Sequence, residues 1–158
     1  MTDLTPDDVR SVLQYDPDTG VFFSLKTKKN IGATDGIGYQ RFKIGGKLYR
    51  LHRLAWVIIY GEWPAGDVDH INGNTFDNRI CNLRVATRAL NIANSKLSKK
   101  NTSGYKGVSY SKSRNKWQSY ITVARKHIFL GNYDCPTKAH AAYFEAAKRY
   151  FGEFARAS

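Results

Sequence analysis

The chain has 158 residues, 42% of them hydrophobic, so it is long enough to bury one core or two small ones and is not expected to be disordered. Its 25 Lys or Arg against 13 Asp or Glu give a formal net charge of +12, which favours a polyanionic partner and makes nucleic acid the first candidate. A membrane surface is the competing polyanion, but no run approaches the roughly 20 apolar residues that a bilayer span requires.

The N-terminal segment is acidic and predicts a short helix. Residues 1–18 contain five acidic residues and only Arg10 as a base, the opposite of the charge that a secretory signal needs, so we expect a cytoplasmic protein. Thr5 as the N-cap, Pro6 at the first helical position and acids in the first turn predict a helix that runs to about Gln14.

Short strands and a second helix are predicted next. Gly45 and Gly46 separate two alternating segments and predict a hairpin. Residues 52–60 place apolar side chains at helical spacing, and Gly61 begins the segment that ends this helix. The segments that alternate apolar and polar residues, as half-buried strands do, are residues 21–25, 39–44 and 47–51.

A polar run, VDHINGNTFDNRICNLRVAT, carries the candidate chemistry. Asp69 and His70 stand before an Asn72-Gly73 turn, and they can reach one centre only if the strand ends there, because neighbouring strand residues point to opposite faces. Asp69 is a suitable ligand for Mg²⁺, and a neutral His70 can take a proton from water. Phosphodiester hydrolysis needs such an activated water and a cation that neutralises charge on the phosphate and the leaving oxygen.

From about residue 51 to 94 the sequence resembles the His-Asn-His (HNH, ββα-metal) endonuclease family, in the subgroup common in phages and group I intron homing enzymes. The resemblance implies that His70 is the catalytic base, that Asn82 orients it, and that Asp69 and Asn91 hold the metal. Asn91 follows Thr87, the expected cap of a short helix, at a position where the family carries His or Asn. An amide oxygen suits Mg²⁺ or Mn²⁺ and is a poor zinc ligand.

The resemblance also implies 5′-phosphate and 3′-hydroxyl products and, for a phage-encoded protein, the host cytoplasm. Cys81 and Cys135 are the two cysteines and no CxxC pair occurs, so we expect no structural zinc. Each site residue has a structural alternative: the loop asparagines as turn and cap residues, Asp69 as a surface acid, His70 as a hydrogen-bonded structural histidine. His52 could contact a phosphate or serve only at the start of its helix.

Positive charge is concentrated from Arg84 to Lys126, where eleven Lys or Arg occur without one Asp or Glu. The run could be a solvated linker, but the interleaved Tyr and Trp residues favour a folded surface that faces DNA. In the nuclease core and the basic linker, the residues that we expect to contact DNA are His52, Arg53, Arg84, Arg88, Lys99 and Lys100.

Three strand-like runs and a helix predict a second small α+β unit. Thr137 is expected to cap the helix, which runs from residue 138 to about 151, and Gly152 to end it. The strands are expected near residues 107–110, 116–123 and 127–130.

Residues from about 101 to 154 resemble the AP2 (ethylene-response-factor) DNA-binding domain in their YKGV, FLG and alanine-rich helix elements. In that family one sheet face enters the major groove and the helix covers the other. Several base-reading arginines and a tryptophan of the plant proteins are replaced here, so the plant target sequence is not carried over. A protein-binding or purely structural sheet is the alternative. Alternation along the strands assigns Lys106, Ser109, Gln118, Tyr120, Thr122, His127 and Phe129 to the DNA face, with Lys112, Arg114 and Lys116 reaching phosphates from the turn.

The predicted architecture is α+β. Residues 1–94 form short antiparallel strands and an HNH core at about 51–94, residues 95–101 a basic linker, and residues 102–158 a three-stranded antiparallel sheet packed on one helix. We expect a monomer or weak dimer that binds duplex DNA and no membrane, and that nicks DNA or acts as a homing-type enzyme. The main alternative is a sequence-specific DNA-binding regulator whose core has lost activity. An RNA-binding protein fits the charge but not the second resemblance.

Overall fold

A computed structural model of the protein describes residues 4–36, 38–98 and 100–156. The chain divides into two compact units, residues 1–86 and residues 87–158. The helix that carries Asn91 falls in the second unit, whereas the sequence placed it in the nuclease core with the hairpin; the domain boundaries stay a prediction. No helix in the described part of the chain is long and apolar enough to cross a membrane.

The first unit is built from short strands and helices, and all its strand pairs are antiparallel. In chain order the elements are α1 (Pro6–Val12), β1 (Leu13–Tyr15), β2 (Phe22–Ser24), β3 (Lys29–Asn30), β4 (Arg41–Ile44), β5 (Lys47–Arg50), α2 (Leu51–Tyr60), β6 (Asp67–His70), a short 3-10 helix (Ile80–Asn82) and β7 (Leu83–Ala86). The strands that the structure describes here form three small sheets, in the orders β1-β2-β3, β4-β5 and β6-β7.

Helix α1 begins as predicted but ends earlier. Thr5 and Asp8 form a reciprocal capping box, and Pro6 occupies the first turn. Leu13 takes an extended conformation and starts β1, so Gln14 belongs to a strand that pairs with β2 and not to the helix. Pairing with a neighbouring strand outweighs the local helical pattern here.

One apolar core joins α2 to the elements on either side of it in sequence. The buried face of α2 follows from its helical spacing of apolar residues, and Gly61 ends the helix in a left-handed conformation, as predicted. The predicted β4–β5 hairpin forms across Gly45 and Gly46. The core residues include Val9, Leu13, Phe22, Leu51, Leu54, Val57, Val68 and Leu83.

The second unit holds a three-stranded antiparallel sheet with one helix packed on it, as predicted. Its elements are α3 (Arg88–Asn94), β8 (Val108–Ser111), β9 (Lys116–Val123), β10 (Lys126–Tyr133), α4 (Pro136–Phe151) and a short 3-10 helix (Gly152–Phe154), and β9 is the central strand. The likeness of this unit to AP2 domains stays a prediction.

The two faces of the sheet separate as the alternation predicts. Ile121, with Val123, Ile128 and Leu130 around it, packs against Tyr143 and Ala147 of α4. The expected cap was wrong: Cys135 is the N-cap residue and Pro136 opens the helix, because proline fits the first helical position without losing a hydrogen bond. Thr137 therefore lies inside the first turn.

A bulge in β10 changes which residues lie on the outer face. Phe129 pairs with Tyr120 but Gly131 pairs with Ser119, so Leu130 is an extra residue and Asn132 comes to lie opposite Gln118. Gly131 has a φ of 140°, and a Cβ there would lie 2.9 Å from the hydroxyl of Tyr133. Glycine is therefore required at the bulge.

Candidate active site

Asp69 and His70 lie at the end of β6, where the sequence placed them. The register pairs Asp69 with Arg84 and His70 with Leu83 across the β6–β7 hairpin. Directly after His70 the chain turns, with the amide of Gly73 donating to the carbonyl of His70 at 2.8 Å. Gly73 takes a left-handed conformation, with a φ of 65°, which glycine adopts readily.

Asn82 contacts the loop of residues 71–81, which follows His70. Its side-chain oxygen accepts from the amide of Asn72 at 3.0 Å, and its nitrogen donates to the Asp77 carbonyl at 2.8 Å. The side-chain nitrogen of Asn82 also donates to the side-chain oxygen of Asn72 at 3.1 Å. The polar side-chain atoms of Asn82 thus contact the loop that follows His70, and its role in orienting His70 stays a prediction.

The side chain that meets His70 is Asn78. Its oxygen lies 3.2 Å from Nε2 of His70, and its nitrogen donates to Oε1 of Gln40 at 2.8 Å. The amide nitrogen of Gln40 in turn donates to the Ile31 carbonyl at 3.5 Å. This order of donors and acceptors turns the Asn78 oxygen toward His70, so Nε2 carries the proton and Nδ1 has the lone pair. Asn78 was one of the candidate turn residues, and its partner Gln40 is distant in sequence.

The N-terminal strands support Asn78 from behind. The Tyr15 hydroxyl donates to the Asn78 carbonyl at 2.7 Å, and the amide of Ile80 donates to the Pro17 carbonyl at 3.0 Å. A Cβ on Gly20 would lie 2.5 Å from the Arg79 amide nitrogen, so the turn after β1 touches the backbone of the loop. Asn78 is only 1% exposed, so the surrounding residues hold its side chain in place.

His52 packs against His70 and does not reach the surface. Its ring centroid is 4.9 Å from that of His70, nearly edge-on at 73°, and the Tyr39 ring lies beside both. His52 is only 4% exposed because the first turn of α2 faces the core, and of the two roles left open for His52 this burial favours the structural one. Burial and, next, the nearby His70 lower the pKa of His52 to about 3, so the ring is neutral at pH 7.

His70 is also neutral in this environment. Burial lowers the pKa of its imidazole, against the opposing effects of the Asn78 hydrogen bond and of the Asp69 and Asp77 carboxylates. A neutral imidazole can accept a proton from water at pH 7. The site therefore has the protonation state that a general base requires.

The donor chemistry around Asp69 fits a hard cation. Asp69 is buried beside His70, and its carboxylate accepts from Nε of Arg84 at 3.1 Å. Among the described residues, no three His, Cys, Asp or Glu side chains converge as a metal cage. Hard cations such as Mg²⁺ bind one or two carboxylates together with waters and substrate phosphate, so a single carboxylate such as Asp69 fits such an ion. Asn91 lies on α3, whose N-terminus Thr87 caps as predicted, and its role as second ligand stays a prediction.

Several predicted DNA contacts are used inside the protein. Arg53 donates to the Gly66 carbonyl at 2.9 Å, and Arg84 is paired with Asp69. Lys106 is the clearest correction: its ammonium donates to the carbonyls of Ala93 and Ser95 at the C-terminal end of α3, and burial lowers its pKa to about 8. It precedes β8 and does not lie on the sheet. Arg88 and Lys100 are exposed, and Lys99 lies outside the described residues.

The outward face of the sheet presents paired side chains. Across β9 and β10, the side-chain amide of Gln118 donates to Oδ1 of Asn132 at 3.2 Å. The ring centroids of Tyr120 and Phe129 lie 5.1 Å apart, and Oγ1 of Thr122 is 3.1 Å from Nδ1 of His127. This outward face is formed by Ser109, Gln118, Tyr120, Thr122, His127, Phe129 and Asn132. Asn132 was missed because the bulge reverses the alternation after Phe129.

Basic residues of the β8–β9 turn lie beside this face. Lys112 and Arg114 are exposed, and Lys116 forms an ion pair with Asp134 on the surface. Exposed ion pairs contribute little to stability, so the pair with Asp134 would not prevent Lys116 from contacting a phosphate.

Comparison with known proteins identifies the family of the chain. A family model for HNH endonucleases matches residues 49–92. Protein 3.8 of Escherichia phage T7 is 35% identical over 111 residues, which are 70% of this chain and 91% of the phage protein. The solved structure of the HNH homing endonuclease I-HmuI, which concerns DNA binding and cleavage, aligns with 55% of this chain and 55% of its own, at 31% identity and a TM-score of 0.43. The chain therefore belongs to the family of the T7 Protein 3.8, and residues 49–92 are an HNH endonuclease domain.

Proposed function

We propose that this protein is a metal-dependent endonuclease that hydrolyses phosphodiester bonds in duplex DNA. The observation that carries the proposal is the pairing of Asp69 with a neutral, buried His70 at the end of β6, inside the segment that matches the HNH family. The Asn78 oxygen, 3.2 Å from Nε2 of His70, orients the ring of this base.

The roles of the side chains follow from this arrangement. Nδ1 of His70 takes a proton from the attacking water, and the Asn78 oxygen holds the Nε2 proton in place. Asp69, with Asn91 as the second ligand by family resemblance, would hold Mg²⁺ or Mn²⁺. When bound, that ion would neutralise charge on the phosphate and on the leaving 3′ oxygen. Asn82 keeps the loop after His70 in shape.

The second unit is proposed to anchor the enzyme to duplex DNA. Its outward face combines amide, hydroxyl and aromatic side chains, which can contact base edges in a major groove. Lys112 and Arg114 beside it supply charge for phosphates. One HNH core presents one active site, so we propose nicking as the outcome of a single event, with double-strand breaks needing two events or a dimer. A homing-type role is part of the same proposal.

The test is relaxation of supercoiled plasmid by the full chain with Mg²⁺, Mn²⁺ or EDTA. We expect metal-dependent nicking by the natural protein and by His140→Gln, a change at a histidine that contacts the Lys106 carbonyl in the other unit. His70→Ala should bind DNA equally well and nick at least about a hundredfold more slowly. DNA binding without nicking under any divalent cation would favour the regulator instead. Stronger competition by RNA than by duplex DNA in a salt titration would favour an RNA-binding protein.

A further inference from the structure

Arg84 lies directly opposite Asp69 in the β6–β7 hairpin and pairs with it. Its Nε is 3.1 Å from Oδ2 of Asp69, and the two side chains are only 12% and 6% exposed. The carboxylate that the proposed function assigns to the metal is therefore paired with a guanidinium in the protein alone.

Two cations at one carboxylate compete. A guanidinium carries a positive charge, and salt screens a buried ion pair poorly. A divalent ion that approaches Asp69 meets both an occupied carboxylate oxygen and the repulsion of a fixed positive charge. Arg84 should thus weaken metal binding in the absence of DNA.

Substrate phosphate changes this balance. A guanidinium has five donors in a planar fork, so it can bind a phosphate oxygen when its carboxylate partner is taken by an ion. We propose that Arg84 is a phosphate-binding and positioning residue that holds Asp69 while DNA is absent and turns to the phosphate when DNA and the metal arrive. Metal and DNA then each strengthen the binding of the other, by the same factor. This inference depends on the proposed function, because it takes Asp69 as a metal ligand.

Arg79 of the same hairpin loop pairs with a different carboxylate, which supplies a control. Arg79 forms a bidentate contact with Asp77 in the loop after His70, with two guanidinium nitrogens each 2.7 Å from a carboxylate oxygen. Its side chain is about half exposed. Arg79→Met therefore removes an Arg–Asp pair from the same loop without touching the Asp69 carboxylate.

The experiment measures Mn²⁺ binding to the full chain by the electron-paramagnetic-resonance signal of free Mn²⁺. Without DNA, Arg84→Met should bind Mn²⁺ at least about fivefold more tightly than the natural protein. Arg79→Met should bind it as the natural protein does, and Asp69→Asn should lose it. In a His70→Ala background, where the DNA stays uncut, adding duplex DNA should strengthen Mn²⁺ binding, and Arg84→Met should reduce this gain at least about threefold.

Arg84→Lys is a second variant that keeps the charge and loses the fork. It should bind Mn²⁺ without DNA nearly as the natural protein does, yet show a smaller gain when DNA is added. If folded Arg84→Met and Arg84→Lys both bind Mn²⁺ like the natural protein, with and without DNA, the role of Arg84 is overturned while metal-dependent nicking stands. If Asp69→Asn still binds Mn²⁺, the assignment of Asp69 fails, and with it both proposals.

Discussion

The side-chain oxygen of Asn78 lies 3.2 Å from Nε2 of His70, at the buried end of a relay that begins at the Ile31 carbonyl and passes through Gln40. This contact sets the tautomer of the proposed base. It also joins the N-terminal strands to the HNH hairpin, because the loop that carries Asn78 rests on Tyr15 and Gly20.

Removing the Asn78 amide should therefore impair catalysis more than DNA binding. We expect Asn78→Ala to lower the single-turnover nicking rate about tenfold to a hundredfold at saturating metal, because His70 loses the acceptor that orients its ring. Nitrogen-15 NMR of His70 should show the proton on Nε2 in the natural protein and a mixture of tautomers in the variant. An unchanged tautomer in Asn78→Ala would remove this role.

His52 should make the folded protein sensitive to mild acid. Its pKa is about 3 when folded and 6.5 ordinarily, so between these values the unfolded chain binds more protons. The free energy of unfolding is therefore largest above pH 6.5 and falls as the pH drops toward 3, by up to about 1.4 kcal/mol per pH unit from this group.

Urea unfolding at several pH values tests this dependence on His52. His52→Phe keeps a ring against His70 but cannot titrate, so its stability should fall less steeply between pH 6.5 and pH 4. Parallel curves for the two proteins would show that His52 is not the group responsible.

The bulge in β10 should not tolerate a side chain at Gly131. Gly131→Ala places a Cβ 2.9 Å from the Tyr133 hydroxyl, whose hydrogen bond to the Leu130 carbonyl closes the bulge. We expect a loss of about 1 to 3 kcal/mol in unfolding free energy. Gly32→Ala is the matched control, since a Cβ there meets nothing within 4 Å and should leave the melting temperature unchanged.

Asn132 should contribute to DNA recognition without contributing charge. We expect Asn132→Ala to weaken binding to a preferred duplex about tenfold and to leave the salt dependence of binding unchanged, because an amide contacts bases and releases no counterions. Lys112→Ala should instead weaken all duplexes alike and lower the salt slope by about 1. Equal loss on every duplex for Asn132→Ala would place it outside base recognition.

Features set by local pattern could be predicted from the sequence. The spacing of apolar residues in α2, the hairpin at Gly45 and Gly46, and the faces of β8 and β9 follow from neighbours within a few residues. The end of β6 at His70 follows from the turn chemistry after it.

Features that depend on contacts between distant residues could not be predicted from the sequence. Gln40 reaches Asn78 across 38 positions, and nothing local marks either residue as its partner. His52 packs against the rings of His70 and Tyr39, which are distant from it in sequence or in another element. Lys106 is bound by backbone carbonyls of another element. Asn132 changes face because one extra residue enters β10.

The most direct test of the account is the nicking rate of supercoiled plasmid at saturating Mn²⁺ for the natural protein, His70→Ala and Asp69→Asn, each shown to be folded and to bind DNA. We expect the natural protein to nick, and both variants to be slower by at least about a hundredfold, because one loses the base and the other the metal ligand. A folded His70→Ala protein that nicks at the natural rate would contradict it.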